Sequence, residues 1–215
     1  ISAKGRDREA HLMCGIAGIR GYGDPEERRH RVDRMTGALT HRGPDDKGFF
    51  DGESVSLGFR RLAVIDLETG QQPILLADPP LVIVLNGEIY NFRELRGELE
   101  ARGHRFRTMG DVEVVLRLWA EEGPGCIVRL NGMFALAVFD REKDELHLAR
   151  DRFGIKPLYL CREGGELAFA SELKALRALP ELDRAPDPTA WGLHGSIQRL
   201  VPHARCVMHV HSIHA

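Results

Sequence analysis

What most constrains this chain is a series of short apolar runs joined by links too brief for a crossover. Cys14 to Ile19 is small and apolar, Ser54 to Arg60 alternates through Val55, Leu57 and Phe59, and Leu81 to Leu85 is apolar throughout. Met133 to Phe139 is nearly continuous, and Leu146 with Leu148, Leu158 to Cys161, and Leu167 to Ala170 follow at close spacing. Parallel neighbours need a connection of about a dozen residues or more, so the short links predict antiparallel pairing. Between and after these runs, helical periodicity takes over. Pro25 to Leu39 places Val32, Met35 and Leu39 on one face, and Tyr90 to Gly103 places Phe92, Leu95 and Leu99. Asp111 to Glu122 aligns Val112, Val115, Leu116 and Trp119, and Ser171 to Ala178 reads as a short helix. His41 to Asp46, broken by Gly43-Pro44, reads as a loop. The expected fold is a layered α+β domain, two sheets packed face to face with helices outside.

The 215 residues suit one large domain, or one domain with a fragment of another. Hydrophobic residues make up 43%, enough for a sizeable core, and 29% charged residues with a net charge of -2 argue against disorder. That near-neutral balance gives no general attraction to nucleic acid or to an anionic membrane. No apolar run approaches the ~20 residues that span a bilayer. Cys14, Cys126, Cys161 and Cys206 are scattered and form no Cys-x-x-Cys pair, which points to a reducing compartment and a cytoplasmic protein. Residues 1–13 read as a leader or extension, 14–182 as the domain, 183–190 as a linker marked by Pro186 and Pro188, and 191–215 as a histidine-rich tail.

Four stretches carry chemistry. Met13-Cys14-Gly15-Ile16-Ala17-Gly18 places a cysteine directly after a methionine. If Cys14 is the mature N-terminus, its α-amine, with a pKa of about 8, sits beside its own thiol and can serve as its base. The small neighbours Gly15, Ala17 and Gly18 leave room for a substrate; the alternative is a cysteine buried on a core strand. Asn86-Gly87-Glu88-Ile89-Tyr90-Asn91 follows an apolar strand, where an amide and a backbone N–H at a sheet edge suit an oxyanion. Asn-Gly is equally a turn signal. Arg61 lies near the end of a strand, suited to a carboxylate or to solvent. Asp111 opens a helix, as an ammonium ligand or as an N-cap. Asp45 and Asp46 lack the further ligands a metal needs.

Together with His41-Arg42-Gly43-Pro44-Asp45-Asp46, Asn131-Gly132-Met133-Phe134-Ala135, the run from Arg150 to Tyr159 and the run from Ala170 to Leu176, these stretches resemble the class II glutamine amidotransferase domain of asparagine synthetase. The resemblance covers about Met13 to Leu182, and Leu62 to Asp66 distinguishes it from the related domains of purine and amino-sugar synthesis. It implies a four-layer αββα N-terminal-nucleophile hydrolase fold with two packed antiparallel sheets. It further implies Cys14 as nucleophile, with Asn86 and the Gly87 N–H as oxyanion hole. Arg61 would hold the glutamine α-carboxylate, and Glu88 and Asp111 the α-amino group, aided by the backbone at Val64 and Ile65. Glutamine is the implied substrate, no cofactor is needed for its hydrolysis, and ATP with Mg²⁺ belongs to a synthetase domain or subunit that accepts the ammonia. A homodimer stays open.

Two departures stand out. If residues 1–13 stay attached, the Cys14 amine is locked in a peptide; the expectation is translation from Met13, with a cleaved propeptide or a silent glutamine-binding domain as alternatives. The chain also has no Ser-Gly-Gly pyrophosphate loop, so it is expected not to make asparagine by itself. Its tail instead resembles a fragment of a class II aldolase/adducin domain, in Leu193 to Ile197 and Val207 to Ser212. In that family a His-x-His pair ligates zinc, which makes His209 and His211 weak metal candidates and a metal-binding fusion the third functional reading.

Overall fold

A computed structural model describes residues 13–21, 23–62 and 70–179. The linker, the tail with His209 and His211, and most of the leader lie outside these residues, as do Val64 and Ile65. The elements run β1 (Gly15–Arg20), α1 (Pro25–Ala38), β2 (Asp46–Asp51), β3 (Val55–Arg61), β4 (Ile74–Leu75), β5 (Leu81–Ile89), α2 (Phe92–Ala101), α3 (Asp111–Glu122), a 3₁₀ segment (Gly123–Arg129), β6 (Gly132–Asp140), β7 (Glu145–Arg150), β8 (Tyr159–Glu163), β9 (Glu166–Ala170) and α4 (Leu173–Leu176). The first sheet has the order β2-β3-β1-β9-β8 and the second β4-β5-β6-β7, and every pairing is antiparallel.

Period-two alternation assigns each strand residue to a layer. On β5, Val82 and Val84 face the other sheet, joined by Ala135, Ala137 and Phe139 of β6 and by Ile16, Leu57, Phe59 and Phe169 of the first sheet. The opposite faces, Leu81, Ile83 and Leu85 with Leu136 and Val138, pack under α2 and α3 through Leu95, Leu99, Val115 and Trp119. Ala17 and Ile19 of β1 meet Val32, Met35 and Leu39 beneath α1, with Leu176 of α4. The result is the αββα layering. Because β5 and β6 are apolar on both faces, they read as unbroken runs, as expected for strands covered on both sides.

Local chemistry accounts for the element ends. Asp24 caps α1, its carboxylate accepting from the Glu26 N–H at 3.0 Å, and Pro25 stands at the first helical position. Gly103 follows α2 with φ 95°, a conformation glycine adopts at no steric cost.

Three expectations need correction. The strand from Leu81 runs on to Ile89, so Asn86 and Gly87 pair with Ala135 and Phe134 inside a ladder and form no turn. Asp111 does not cap α3; Gly110 holds that position. Gly15 and Gly18 are small for packing and not to admit a substrate. A side chain at Gly18 would strike the Phe169 ring, and one at Gly15 would press on Leu39. The strand β2 and the two-residue β4 lack the apolar alternation that reveals the others, since β2 is half-exposed on both faces.

Phe169 is fully buried between the sheets. Phe169→Ala is expected to cost about 3–5 kcal/mol of unfolding free energy, read as a lower urea midpoint with an unchanged slope.

Candidate functional site

At one end of the sheet-sheet interface lies a cavity of about 200 Å³. Its walls include Cys14, Arg61, Asn86, Gly87, Glu88 and Asp111, so every described residue expected to handle glutamine faces one space. Val64 and Ile65 fall outside the described residues, in the segment between Leu62 and Gly70, both of which line the cavity.

Cys14 immediately precedes β1, where Gly15 pairs with Arg60. The antiparallel partner strand therefore carries Arg61 and Leu62 to the thiol. The Leu62 N–H donates to Cys14 Sγ at 3.4 Å, and the thiol points back at the Leu62 carbonyl at 3.7 Å. Burial pushes the Cys14 thiol pKa up, opposed by the Leu62 N–H and then by the charges of Arg61, Lys156 and Arg42. Burial thus makes the thiol harder to ionise, and a base would help it to attack. Arg42 fixes the main chain here: its Nε donates to the Cys14 carbonyl at 3.0 Å, while its Nη1 pairs with Glu172 at 2.9 Å. Ser171 closes the other side, its Oγ accepting from the Ile16 N–H at 2.9 Å.

Asn86 is 1% exposed, and among the described residues neither end of its amide has a hydrogen-bond partner. A buried amide left unpaired costs about 1–3 kcal/mol, so this one invites a ligand. Gly87 has φ 144°, and a Cβ there would run into the Met133 carbonyl. Glycine is required for that close approach of β5 to β6.

Asp111 accepts from the Ile89 N–H at 2.8 Å, which ties α3 to the end of β5. Burial raises its pKa, opposed by that N–H and reinforced by the nearby Glu88. Two carboxylates on one wall suit a cation, and a ligand ammonium would offset the cost of keeping Asp111 charged.

Sequence reasoning missed several contributors. Gln72 is buried and lines the cavity. Continuing the β4–β5 register, in which Ile74 faces Ile83, puts residue 72 opposite Leu85. There the side-chain amide replaces a backbone pair, donating to the Leu85 carbonyl at 3.1 Å and accepting from the Leu85 N–H at 2.6 Å. Pro73 follows and has no N–H, so the side chain extends the sheet where the backbone stops. Its one legible sign is a Gln-Pro pair after a glycine. Glu113 also escaped notice: it accepts from the Arg107 and Thr108 N–H groups at 2.8 and 2.7 Å, shaping the Thr108 wall. Among the described residues no group of three or more His, Cys, Asp or Glu comes together to hold a metal.

A model of the glutamine amidotransferase domain matches residues 13–214. This chain belongs to the glutamine amidotransferase domain family. The match runs through residues 193–197 and 207–212, the stretches expected to be an aldolase fragment. The chain is 42% identical over 175 residues to asparagine synthetase [glutamine-hydrolyzing] 2 of Bacillus subtilis, covering 80% of this chain and 23% of that protein. It is 40% identical over 166 residues to asparagine synthetase B [glutamine-hydrolyzing] of Escherichia coli, covering 76% and 30%. The chain therefore spans about a quarter to a third of the length of these relatives. Among solved structures, the fold is shared with the glutamine phosphoribosylpyrophosphate amidotransferase of B. subtilis, at TM-score 0.65 and 22% identity, over 77% of this chain and 43% of that one. It is also shared with an allosteric regulatory enzyme of purine biosynthesis, at TM-score 0.66 and 23% identity, over the same shares of the two chains. The likeness lies in the fold, two antiparallel sheets packed between helices.

The raised pKa of Asp111 predicts a pH dependence of stability. Between the ordinary aspartate pKa of about 4 and the raised folded value, the folded chain holds a proton that the unfolded chain has lost. Stability therefore falls as pH rises through that window. Urea unfolding of the ligand-free protein across the window is expected to show this slope, and Asp111→Asn to flatten it.

Proposed function

We propose that this chain hydrolyses the side-chain amide of glutamine to glutamate and ammonia, as the amidotransferase portion of an asparagine-synthetase-type assembly. The observation that carries the proposal is the pairing of a cavity-facing Cys14 thiol with the buried, unpartnered Asn86 amide. The glutamine-hydrolysing relatives supply the substrate.

With residue 13 gone, the neutral α-amine of Cys14 accepts the thiol proton and Sγ attacks the side-chain amide carbon. The carbonyl oxygen becomes an oxyanion, held by Asn86 Nδ2 and the Gly87 N–H. The C–N bond breaks, the ammonium of Cys14 returns its proton to the leaving nitrogen, and ammonia departs. Water then cleaves the γ-glutamyl thioester, giving glutamate and the free thiol. Arg61 takes the substrate α-carboxylate, and Glu88 with Asp111 the α-ammonium. No metal or organic cofactor enters these steps. The ammonia acceptor is a synthetase domain or subunit, where ATP and Mg²⁺ would act.

One observation favours a second reading, a glutamine-binding chain without turnover. Met13 fits its surroundings while attached: its N–H donates to the Arg42 carbonyl at 3.0 Å, and its sulfur accepts from Lys156 at 2.8 Å. An attached residue 13 removes the base, a loss worth about 10²–10⁴-fold in rate.

Glutamate release, measured on protein whose N-terminus is established by intact mass, decides between them. The form that begins at Cys14 is expected to turn over, and Cys14→Ala to be inert. Asn86→Ala is expected to lower kcat about 10²–10³-fold with a smaller change in KM. Native protein that retains residue 13 and binds glutamine without releasing glutamate would support the second reading.

A further inference from the structure

Lys156 reaches the cavity without a role in the steps above. The Asp151 carboxylate knots the turn after β7: Oδ1 accepts from the Phe153 and Ile155 N–H groups at 3.1 and 2.9 Å, and Oδ2 from those of Phe134 and Lys156 at 3.2 and 3.0 Å. That knot leaves Phe153 and Ile155 exposed and turns Lys156 inward, where it is 5% exposed and lines the cavity beside Cys14. Its Nζ donates to the Met13 thioether, a weak acceptor. Among the described residues it has no ion pair with a carboxylate within 4 Å. A cation taken out of water onto so weak a partner is stabilised only where negative charge can form near it.

Burial pulls the Lys156 pKa down and Arg42 adds to this, while Glu88, Asp151 and an ionised Cys14 would oppose it. Around Cys14 the charges are Arg61, Lys156 and Arg42, all positive. Arg42 is engaged by Glu172 and the Cys14 carbonyl, and Arg61 is the residue proposed for the substrate carboxylate. Lys156 is the cation that the loss of Met13 would release into the cavity.

We propose that Lys156 is a positioning residue that acts through Cys14, its ammonium stabilising the thiolate on which amide attack depends. The proposal rests on the glutaminase reading for its catalytic consequence, but its electrostatic content is separate. In this role the lysine acts on the thiol and not on the scissile amide or the α-groups of the substrate. It lowers the cost of forming the anion that the Cys14 amine generates.

The test is the pH dependence of Cys14 carboxamidomethylation by iodoacetamide, followed by peptide mass in the full chain, for the parent, Lys156→Met, Lys156→Gln and Lys156→Arg. Both neutral variants are expected to move the midpoint upward by about one unit, with alkylation about tenfold slower near neutrality, and the arginine variant to keep the parent midpoint. In the form that begins at Cys14, the neutral variants are expected to lower kcat for glutamine hydrolysis while KM stays within about twofold. An unmoved midpoint in a folded neutral variant overturns the proposal. So does an arginine variant that shifts as far as methionine, or a rise in KM alone, which would assign Lys156 to the substrate. Failure of the parent to hydrolyse glutamine overturns the functional reading and leaves the alkylation result to judge Lys156.

Discussion

Asn86 is buried with no hydrogen-bond partner for either end of its amide among the described residues, and the end of the sheet sandwich is organised around holding it so. An unpaired amide in a protein interior tends to rotate, draw in water or drag its backbone aside. Here the backbone is pinned on three sides. The β5–β6 ladder passes through Asn86 and Gly87 without interruption, Gln72 grips Leu85 just before them, and Asp111 grips Ile89 just after. The donor is therefore aimed before any ligand arrives, which is the condition under which an oxyanion hole is effective.

The same end of the sandwich delivers the proposed nucleophile from the other sheet. β1 carries Cys14 to the cavity, β3 brings Arg61 and Leu62 beside it, and Arg42 with Ser171 fixes the chain on either side. Neither sheet alone assembles the site. The packing of Ile16, Leu57, Phe59 and Phe169 against Val82, Val84 and Ala135 sets the distance between thiol and amide. The hydrophobic core and the candidate site are in this sense one structure: a change that shifts one sheet against the other moves the Cys14 thiol and the Asn86 amide apart.

Much of the fold was legible because its signals are local. The doubly covered strands β5 and β6 show as apolar runs, and α3 shows as a stripe of Val112, Val115, Leu116 and Trp119. The half-exposed β2 and short β4 carry no such stripe, so pairing assigned them and pattern did not. The candidate site residues were singled out through a resemblance of motifs in order, while each taken singly also fitted a bland role. For Asn86-Gly87 the turn reading failed because a glycine with positive φ also serves where two backbones crowd, and spacing cannot separate these uses. Gln72 and Lys156 escaped notice because their roles arise from tertiary neighbours, Leu85 for one and Cys14 with Met13 for the other.

The central claim is that Cys14 attacks the side-chain carbonyl of a glutamine held in this cavity. Intact and peptide mass spectrometry after exposure to a glutamine analogue with an electrophilic diazoketone in place of the amide tests it most directly. The account predicts one adduct per chain, on Cys14, in protein whose N-terminus is Cys14, with glutamine protecting against it. Labelling spread over other cysteines, or an adduct on Cys14 that glutamine does not suppress, would contradict it.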